Sequence, residues 1–419
     1  MRKYVLLGFF ITLFSCEQDD AINTEGTVIW QPKLSSIITD SGVQLKWFNY
    51  SVLNAILRPY EIVEPDKFEI YMSNKSSNGF TKLIELENDR EYTYSLRNLD
   101  NGKAYYFYVT SMKKGYAPLP SDKIMVIPNK QTQSDSLVIF ENSHTIVSTS
   151  IATEINKIAY VDKYYSWNGG DNCCMSVSIL ISNLDGSNPE LLDINGYEPH
   201  WSPNNDKIVF RTENNETNLG NGIPSQIALY DYETKTITKL TSDTIFNYAP
   251  VFSENGEMIL FQSTKNGPDV YSTNIWLINL KTNEQKKLTE IGNTNFLNTG
   301  RPNWIDNESF LFHAMGDDYK HQIYKSSINS NKSTKVINSD WNDYCPSMSP
   351  NDNNIAFISD RSGSNQIWLY YVDNSVLRQL TGYSSDEYMD ESWSRIEWID
   401  NQNILFTLGE NRLIKQKIE

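Results

Sequence analysis

The chain has 419 residues, with 36 Lys and Arg against 52 Asp and Glu, which gives a formal net charge of −16. Nucleic acid is bound through clustered basic side chains, so this charge argues against a nucleic-acid partner. Four histidines in all make a three-histidine catalytic metal site hard to assemble. The aromatic content of 12% and the abundance of Asn, Ser and Thr favour strands and turns, and they predict an all-β protein of two or three domains.

Residues 1–15 have the layout of a secretory signal peptide, with Arg2 and Lys3 before a short apolar run. The run is too short to span a bilayer. Leu-Phe-Ser before Cys16 resembles a bacterial lipobox, which implies that Cys16 is lipidated and anchors the chain to a membrane. Cys16 begins an acidic tether, residues 16–26, in which the segment from Glu17 to Asp20 is similar to the export signal of Bacteroidota lipoproteins. The resemblance implies the outer membrane and a position facing the cell exterior. An ordinary cleaved signal is the alternative.

Residues 27–130 contain short alternating strands separated by turns, at the length of one β-sandwich. The segment from Leu99 to Val109, with a turn glycine followed by Tyr105, resembles the fibronectin type III signature. The resemblance implies that Tyr105 is the corner tyrosine and that Trp47 lies in the core. Aromatic residues at this spacing are typical of packing rather than of a binding patch.

A repeat fills residues 136–419. A mostly Pro-containing motif recurs every 44 to 52 residues, and each copy is followed by a polar turn and an apolar strand. A third and a fourth strand follow in the more complete copies. The copies are Glu198–Pro203, Ala249–Glu254, Arg301–Asp306, Cys345–Pro350 and a degenerate Glu391–Ser394. Four strands in such a unit are typical of one propeller blade.

The copy from Pro346 to Thr381 resembles the TolB-type, or PD40, propeller repeat. With a weaker first blade, whose inner strand is expected near Ile146 to Ile151, the resemblance implies six four-stranded blades. The last blade has only three strands, so we expect Ser136 to Phe140 to supply its fourth and to close the ring. TolB carries a different N-terminal domain, so its translocation role is not transferred.

Connections into the inner strands and between second and third strands emerge on one face of a propeller, where ligands bind. These connections are rich in aromatic residues beside amides and acids, which suit a glycan or a protein partner. The candidate ligand-binding residues are Tyr165, Trp167, Tyr248, Arg301, Trp341, Tyr344, Arg361 and Tyr388. Tyr165 and Trp167 belong to a predicted long insertion, Asp162 to Cys174. Filling of the gaps between blades is the alternative role for these rings.

No metal or cofactor is expected. The adjacent acids Asp317/Asp318, Asp386/Glu387 and Asp390/Glu391 point in different directions and favour a solvated rim. His313 and His321 share one loop without a third histidine, and His200 is expected near the channel with its hydrogen bonds satisfied. Cys345 is expected on the face of Cys173 and Cys174, which leaves open either one disulfide or three thiols.

The leading hypothesis is a non-enzymatic, lipid-anchored surface protein whose propeller captures a glycan or a protein. One alternative is a polysaccharide lyase resembling the oligogalacturonate lyases, a family that uses several histidines around a metal. The other is a structural subunit of an envelope complex. A Gly-x-Ser-x-Gly nucleophile motif is absent from the sequence, which argues against a prolyl-oligopeptidase-like enzyme.

Overall fold

The computed structural model describes residues 27–49, 61–89, 92–130, 136–141, 145–167, 173–192, 194–212, 224–242, 245–266, 272–290, 298–316, 318–330, 332–383, 389, 395–409 and 411–418. The regular secondary structure of these residues is almost entirely β-strand, as expected for an all-β chain. The chain divides into two compact units. The first contains the described residues up to Ser35 with Gln44–Ser95 and Ala104–Met125, and the second contains Ser36–Val43, Leu96–Lys103 and Val126–Glu419. Within the described residues, no helix is both long and apolar enough to cross a membrane.

Ten strands precede residue 130 in the described part of the chain: β1 (Thr27–Ile29), β2 (Pro32–Thr39), β3 (Gly42–Asn49), β4 (Glu61–Val63), β5 (Lys67–Ser73), β6 (Thr81–Glu87), β7 (Thr93–Arg97), β8 (Tyr105–Met112), β9 (Leu119–Pro120) and β10 (Ile124–Val126). They form a sheet of order β2-β3-β7, a sheet of order β10-β8-β5-β6 with β9 paired to β8, and the parallel pair β1-β4.

The core of the first unit is an aromatic cluster around Phe68. The ring of Phe68 lies 5.1 Å from that of Trp30 and 5.5 Å from that of Trp47. Trp47 and Tyr105 are both buried, as packing residues should be. Large aromatic side chains bury more apolar area than any others, so this cluster stabilises the unit. Fibronectin type III homology of this region stays a prediction.

The second unit contains six four-stranded antiparallel sheets within the described residues. The first three are β12 (Thr145–Ala152), β13 (Lys157–Trp167), β14 (Cys173–Asn183), β15 (Glu190–Leu191); β16 (Gly196–Trp201), β17 (Lys207–Thr212), β18 (Ile227–Asp231), β19 (Ile237–Lys239); and β20 (Asn247–Phe252), β21 (Met258–Ser263), β22 (Asn274–Asn279), β23 (Gln285–Lys287). The next two are β24 (Asn298–Trp304), β25 (Ser309–Met315), β26 (His321–Ser327), β27 (Thr334–Lys335); and β28 (Asp343–Met348), β29 (Asn354–Ser359), β30 (Gln366–Tyr371), β31 (Val376–Gln379). A short 3₁₀ helix, Thr153–Ile155, follows β12.

The last sheet confirms the predicted ring closure. Its order is β11 (Ser136–Glu141), β34 (Arg412–Lys417), β33 (Asn403–Leu408) and β32 (Glu397–Asp400). Ser136 pairs with Gln416, so the strand before the first blade completes the last one. The inner strands contact one another in the order β12, β16, β20, β24, β28 and β32, and β32 contacts β12 again. The ring is therefore closed by the hydrogen-bonded pairing of β11 with β34.

Each blade is covered on both faces, which explains its continuous apolar runs. In β17, Ile208 and Phe210 pack with the first blade, whereas Val209 packs with Phe252 and Phe261 of the third blade. Successive side chains of a strand point to opposite faces of its sheet. A strand between two neighbouring blades therefore carries consecutive apolar residues in its central part.

The predicted insertion of the first blade is a strand extension. Residues Asp162 to Trp167 continue β13, and Trp167 pairs with Cys173 of β14. Cross-strand pairing satisfies the backbone groups that a loop would leave to water. The prediction of a long loop is therefore wrong for these residues, which lengthen a hairpin of the blade.

Candidate functional site

Five inner strands carry a bulge at the same repeat position. The residue there has a positive φ, which is uncommon for residues other than glycine; these residues are Ser148, Glu198, Ala249, Arg301 and Cys345. The strand pairing is shifted at each of these places. Bulges redirect side chains. Residues of different blades thereby meet near the ring axis, in what we term the channel.

Glu198 is the centre of the charged part of the channel. Its side chain is 2% exposed, and Oε1 lies 2.7 Å from Nη1 of Arg301. Oε2 lies 3.5 Å from Nε of Arg211 and accepts the N–H of Ala249 at 2.7 Å. Burial alone would raise the pKa of Glu198, but the two arginines hold it below its usual value. A single carboxylate therefore holds together three blades.

Arg211 connects this carboxylate to aromatic rings. Its guanidinium carbon lies 4.4 Å from the ring centre of Tyr197 and 5.1 Å from that of Tyr248. Tyr248 is half-buried and stacks on Phe246. Two residues proposed from the sequence, Tyr248 and Arg301, thus belong to one network. The sequence analysis missed its other members, although Glu198 and Arg301 occupy the same column of the repeat, immediately before proline.

Arg395 and Glu397 complete the channel from the last blade. Arg395 donates from Nη1 to the carbonyl of Pro199 at 3.5 Å and from Nη2 to that of Pro250 at 3.3 Å. Its Nε lies 3.8 Å from Oε1 of Glu397. Burial raises the pKa of Glu397 to about 7, against the opposing effect of Arg395. Glu397 is therefore poised to change its charge near neutral pH.

Two half-buried histidines accept hydrogen bonds between neighbouring blades. Nδ1 of His200 accepts the N–H of Phe252 at 3.3 Å, and Nδ1 of His313 accepts that of Cys345 at 3.2 Å. An accepting nitrogen is unprotonated, so both rings are neutral and carry hydrogen on Nε2. The ring of His313 requires a glycine at position 300, because a Cβ on that residue would lie 2.8 Å from Nε2 of His313. Burial lowers the pKa of both histidines well below 6.5, and neighbouring cationic groups add to the effect.

The propeller is expected to lose stability as the pH falls below 6.5. The unfolded chain takes up a proton at His200 near that pH and the folded chain does not, so the contribution of His200 to the free energy of unfolding falls by about 1.4 kcal/mol per pH unit, and His313 contributes in the same direction. His200→Asn keeps an acceptor oxygen, as Asn303 does at the same repeat position, where Oδ1 accepts the N–H of Met348 at 3.1 Å. Urea unfolding from about pH 5 to 6.5 should show a shallower pH dependence for His200→Asn than for the wild type. Glu397 changes stability in the opposite direction with pH, but its contribution is the same in both proteins and cancels when they are compared. Parallel plots of stability against pH for the two proteins would contradict a neutral His200.

A second group of residues lies where chain segments enter blade five. The connections into inner strands and those between second and third strands meet at one end of the blades, which we term the loop face. There, Nε2 of Gln322 donates a hydrogen bond to the carbonyl of Trp341 at 2.7 Å. The N–H of His321 donates a hydrogen bond to Oδ1 of Asn342 at 3.0 Å. The ring of Tyr344 lies 4.8 Å from that of His321. The structure brings Trp341 and Tyr344 together as half-buried aromatic residues at this face.

Arg361 is buried inside blade five, which removes it from the candidate ligand site. Its side chain is 1% exposed, and Nη2 lies 2.5 Å from Oδ1 of Asp343. The guanidinium carbon is 5.1 Å from the ring centres of both Phe357 and Trp368. Arg361 follows the second strand in a connection at the loop face, but its side chain turns into the blade, where it pairs with Asp343 of the inner strand β28 and lies over rings of β29 and β30.

The remaining candidates are only partly described. Tyr165 and Trp167 have strand positions in β13, but their side chains lie outside the described residues, as do Cys16 and Tyr388 entirely. Cys345 carries a buried thiol that lines the channel, so it does not form the bridge considered above. Among the described residues, His, Cys, Asp and Glu side chains form no group of three that could hold a metal ion.

The second unit is therefore a β-propeller with a charged channel and an aromatic loop face. A family model described as the N-terminal region of dipeptidyl peptidase IV (DPP IV) matches residues 202–315. The Tol-Pal system protein TolB of Francisella tularensis subsp. mediasiatica (strain FSC147) is 26% identical over 222 residues, which are 50% of this chain and 46% of that protein. The chain thus spans about half the length of the curated relatives it matches.

Two solved structures have a similar propeller. TolB from Acinetobacter baumannii is 17% identical, with a TM-score of 0.44, over 76% of this chain and 78% of that one. An oligogalacturonate lyase in complex with manganese is 11% identical, with a TM-score of 0.48, over 77% of this chain and 99% of that one. Sequence repeat, family model and curated relatives agree, and the propeller of this chain is TolB-like.

Proposed function

We propose that this chain is a lipid-anchored envelope protein whose propeller captures a glycan or a protein partner at the loop face, without cleaving it. The observation that carries the proposal is the grouping of Trp341, Tyr344 and His321, three half-buried rings beside amide groups. Such side chains combine apolar area with hydrogen-bonding atoms at low entropic cost, and they are frequent where proteins bind partners or sugars.

The aromatic rings and amide groups at the loop face are compatible with both ligand classes, a glycan and a protein partner. Stacked aromatic rings suit the apolar face of a pyranose, and amides such as that of Asn342 suit its hydroxyl groups. A relative named for a multi-component system, Tol-Pal, supports a protein partner instead. No contact in the described residues specifically favours the lyase alternative.

Binding at the loop face is expected to depend on Tyr344. We expect Tyr344→Ala to weaken ligand binding by about tenfold or more, because truncating a central aromatic contact typically costs more than 1 kcal/mol. The measurement is a thermal-unfolding screen of the purified protein against polysaccharides and oligosaccharides, paired with affinity capture from envelope fractions. A ligand at a hundred times its dissociation constant stabilises the folded state by about 2.7 kcal/mol.

The matched control is Tyr232→Ala. Tyr232 is also a half-buried ring, packed on Trp201, but it follows β18 at the opposite end of its blade. A glycan or protein whose binding is lost in Tyr344→Ala and kept in Tyr232→Ala supports capture at the loop face. Equal binding by both variants would place the ligand elsewhere, and shortened oligosaccharides detected by mass spectrometry would replace capture by cleavage.

Lipid anchoring is expected to depend on Cys16. We expect Cys16→Ala to abolish the incorporation of labelled palmitate and to move the protein from the membrane to the soluble fraction, because the acyl chains provide the apolar area that holds it. Cys345→Ala, which alters a thiol within the propeller, should keep both properties. Labelling that persists without Cys16 would disprove the lipobox assignment.

Digestion of the wild type by protease added to intact cells tests the exterior orientation.

A further inference from the structure

The channel contains a small cavity lined by residues of four blades. Arg301, Asn303, Cys345 and Arg395 are among the residues that line it, and its volume is about 20 Å³. A cavity of this size holds a group about as large as one water molecule. A glycan or a peptide segment cannot enter it, but a single small ion or the end of one functional group can.

Positive charge dominates the walls of this cavity. The carboxylate of Glu198 lies against Arg301 at 2.7 Å but is shared with Arg211 and the N–H of Ala249. Arg395 has Glu397 at 3.8 Å from its Nε, beyond hydrogen-bond distance, and otherwise donates to carbonyl oxygens at 3.3 and 3.5 Å. Burial lowers the pKa of Arg395; Glu397 and Glu198 oppose this effect, and the nearby Arg301 adds to it. The two guanidinium groups that line the cavity therefore repel each other in a poorly hydrated place.

A buried charge without a close counter-ion is costly, and an anion between two arginines would offset that cost. We propose that this cavity binds one small monovalent anion, either a halide or a carboxylate group, between the guanidinium groups of Arg301 and Arg395. Guanidinium groups are the side chains best suited to a buried carboxylate, because they stay charged and offer several N–H donors. The site is independent of whatever the loop face binds.

Glu397 regulates this site in the proposal. It competes with the anion for Arg395 when ionised and leaves Arg395 to the anion when protonated. Glu397 lies on β32, which contacts β33, β12 and β28. Strands β33 and β12 carry no titratable side chain, and β28 carries Asp343, Tyr344 and Cys345. With the pKa of Glu397 at about 7, the fraction of protein competent to bind rises about tenfold from pH 8 to pH 6.

The experiment measures anion binding to the purified protein at constant ionic strength. Chloride binding is measured from the ³⁵Cl line width, and formate binding from the displacement of chloride. Binding of N-acetylglycine, a carboxylate on a larger molecule, is measured by thermal unfolding. We expect saturable binding at pH 6 that is about tenfold weaker at pH 8 and absent in Arg395→Met. Arg378→Met, which removes an arginine from the outer strand β31, should bind as the wild type does.

Glu397→Gln keeps the test decisive if Arg395→Met does not fold. This variant should bind at pH 8 as tightly as the wild type binds at pH 6, and it should lose the pH dependence. Chloride and formate binding together indicate a free-anion site, whereas binding of N-acetylglycine alone indicates a ligand-borne carboxylate. Absence of saturable binding for all three probes at pH 6, or an unchanged pH dependence in Glu397→Gln, would overturn the proposal.

Discussion

Glu198→Gln is expected to lower the free energy of unfolding of the propeller by about 3–5 kcal/mol, because it leaves buried arginines without their carboxylate. Arg301 and Arg211 are each about 10% exposed and lie 2.7 and 3.5 Å from this carboxylate. The glutamine oxygen still accepts the N–H of Ala249, so the loss of stability measures the effect of the removed charge. Because folded domains are typically stable by only about 5–15 kcal/mol, the change consumes much of the stability. Urea unfolding followed by tryptophan fluorescence measures it.

A double substitution and a surface control complete this test. Glu198→Gln combined with Arg301→Met removes both members of the closest pair and is expected to cost less than the sum of the single changes. Glu257→Gln alters a carboxylate that pairs with Lys281 at the surface and is 45% exposed, so we expect a change of about 1 kcal/mol or less. Equal losses for Glu198→Gln and Glu257→Gln would show that the channel does not depend on its central charge.

Arg361→Met is expected to destabilise blade five by a similar amount, about 3–5 kcal/mol, since Asp343 would be left as an unpaired charge in the interior. Asp343 is fully buried, and the guanidinium group also lies over the rings of Phe357 and Trp368. Methionine fills most of the arginine volume, so the change reports on the lost charge pair. Thermal unfolding, with the transition followed in the near-ultraviolet, measures the loss.

Blade three provides the matched rescue for this variant. At the equivalent positions it has Lys265, whose Nζ lies 4.8 Å from the ring centre of Trp276, and the neutral Asn247, which accepts the hydroxyl of Ser263. Copying that pair, Arg361→Lys with Asp343→Asn, should recover most of the stability lost in Arg361→Met. A double variant as unstable as Arg361→Met would show that the charge pair is not the cause.

The repeat could be read from the sequence because each blade has to bury both faces. Residues such as Ile208, Val209 and Phe210 form an apolar run in every blade, and the intervening polar turns set its period. The closing strand could be predicted for a related reason: the last blade had only three strands, and an apolar segment before the first blade had no partner. Architecture therefore followed from local patterns and a count of strands.

The channel could not be derived in the same way. Glu198 and Arg301 are two blades apart, and Arg395 comes from a third, so their contact depends on the closed ring rather than on neighbouring residues. A charged residue before proline in the repeat was the only signal, and it indicated Glu198 and Arg301 but not Arg211. Arg361 showed the opposite failure, because a loop position did not reveal the direction of its side chain.

Ring closure also constrains how the protein folds. The pairing of Ser136 with Gln416 joins segments that are synthesised at very different times, and contacts so far apart in sequence form late because of the entropy of closing the intervening loop. Until β34 has been made, β11 presents an unpaired edge of the kind that promotes aggregation. Ribosome-bound or partly exported chains should therefore hold separate, protease-sensitive blades, and the ring should become resistant in one late step once β34 is available.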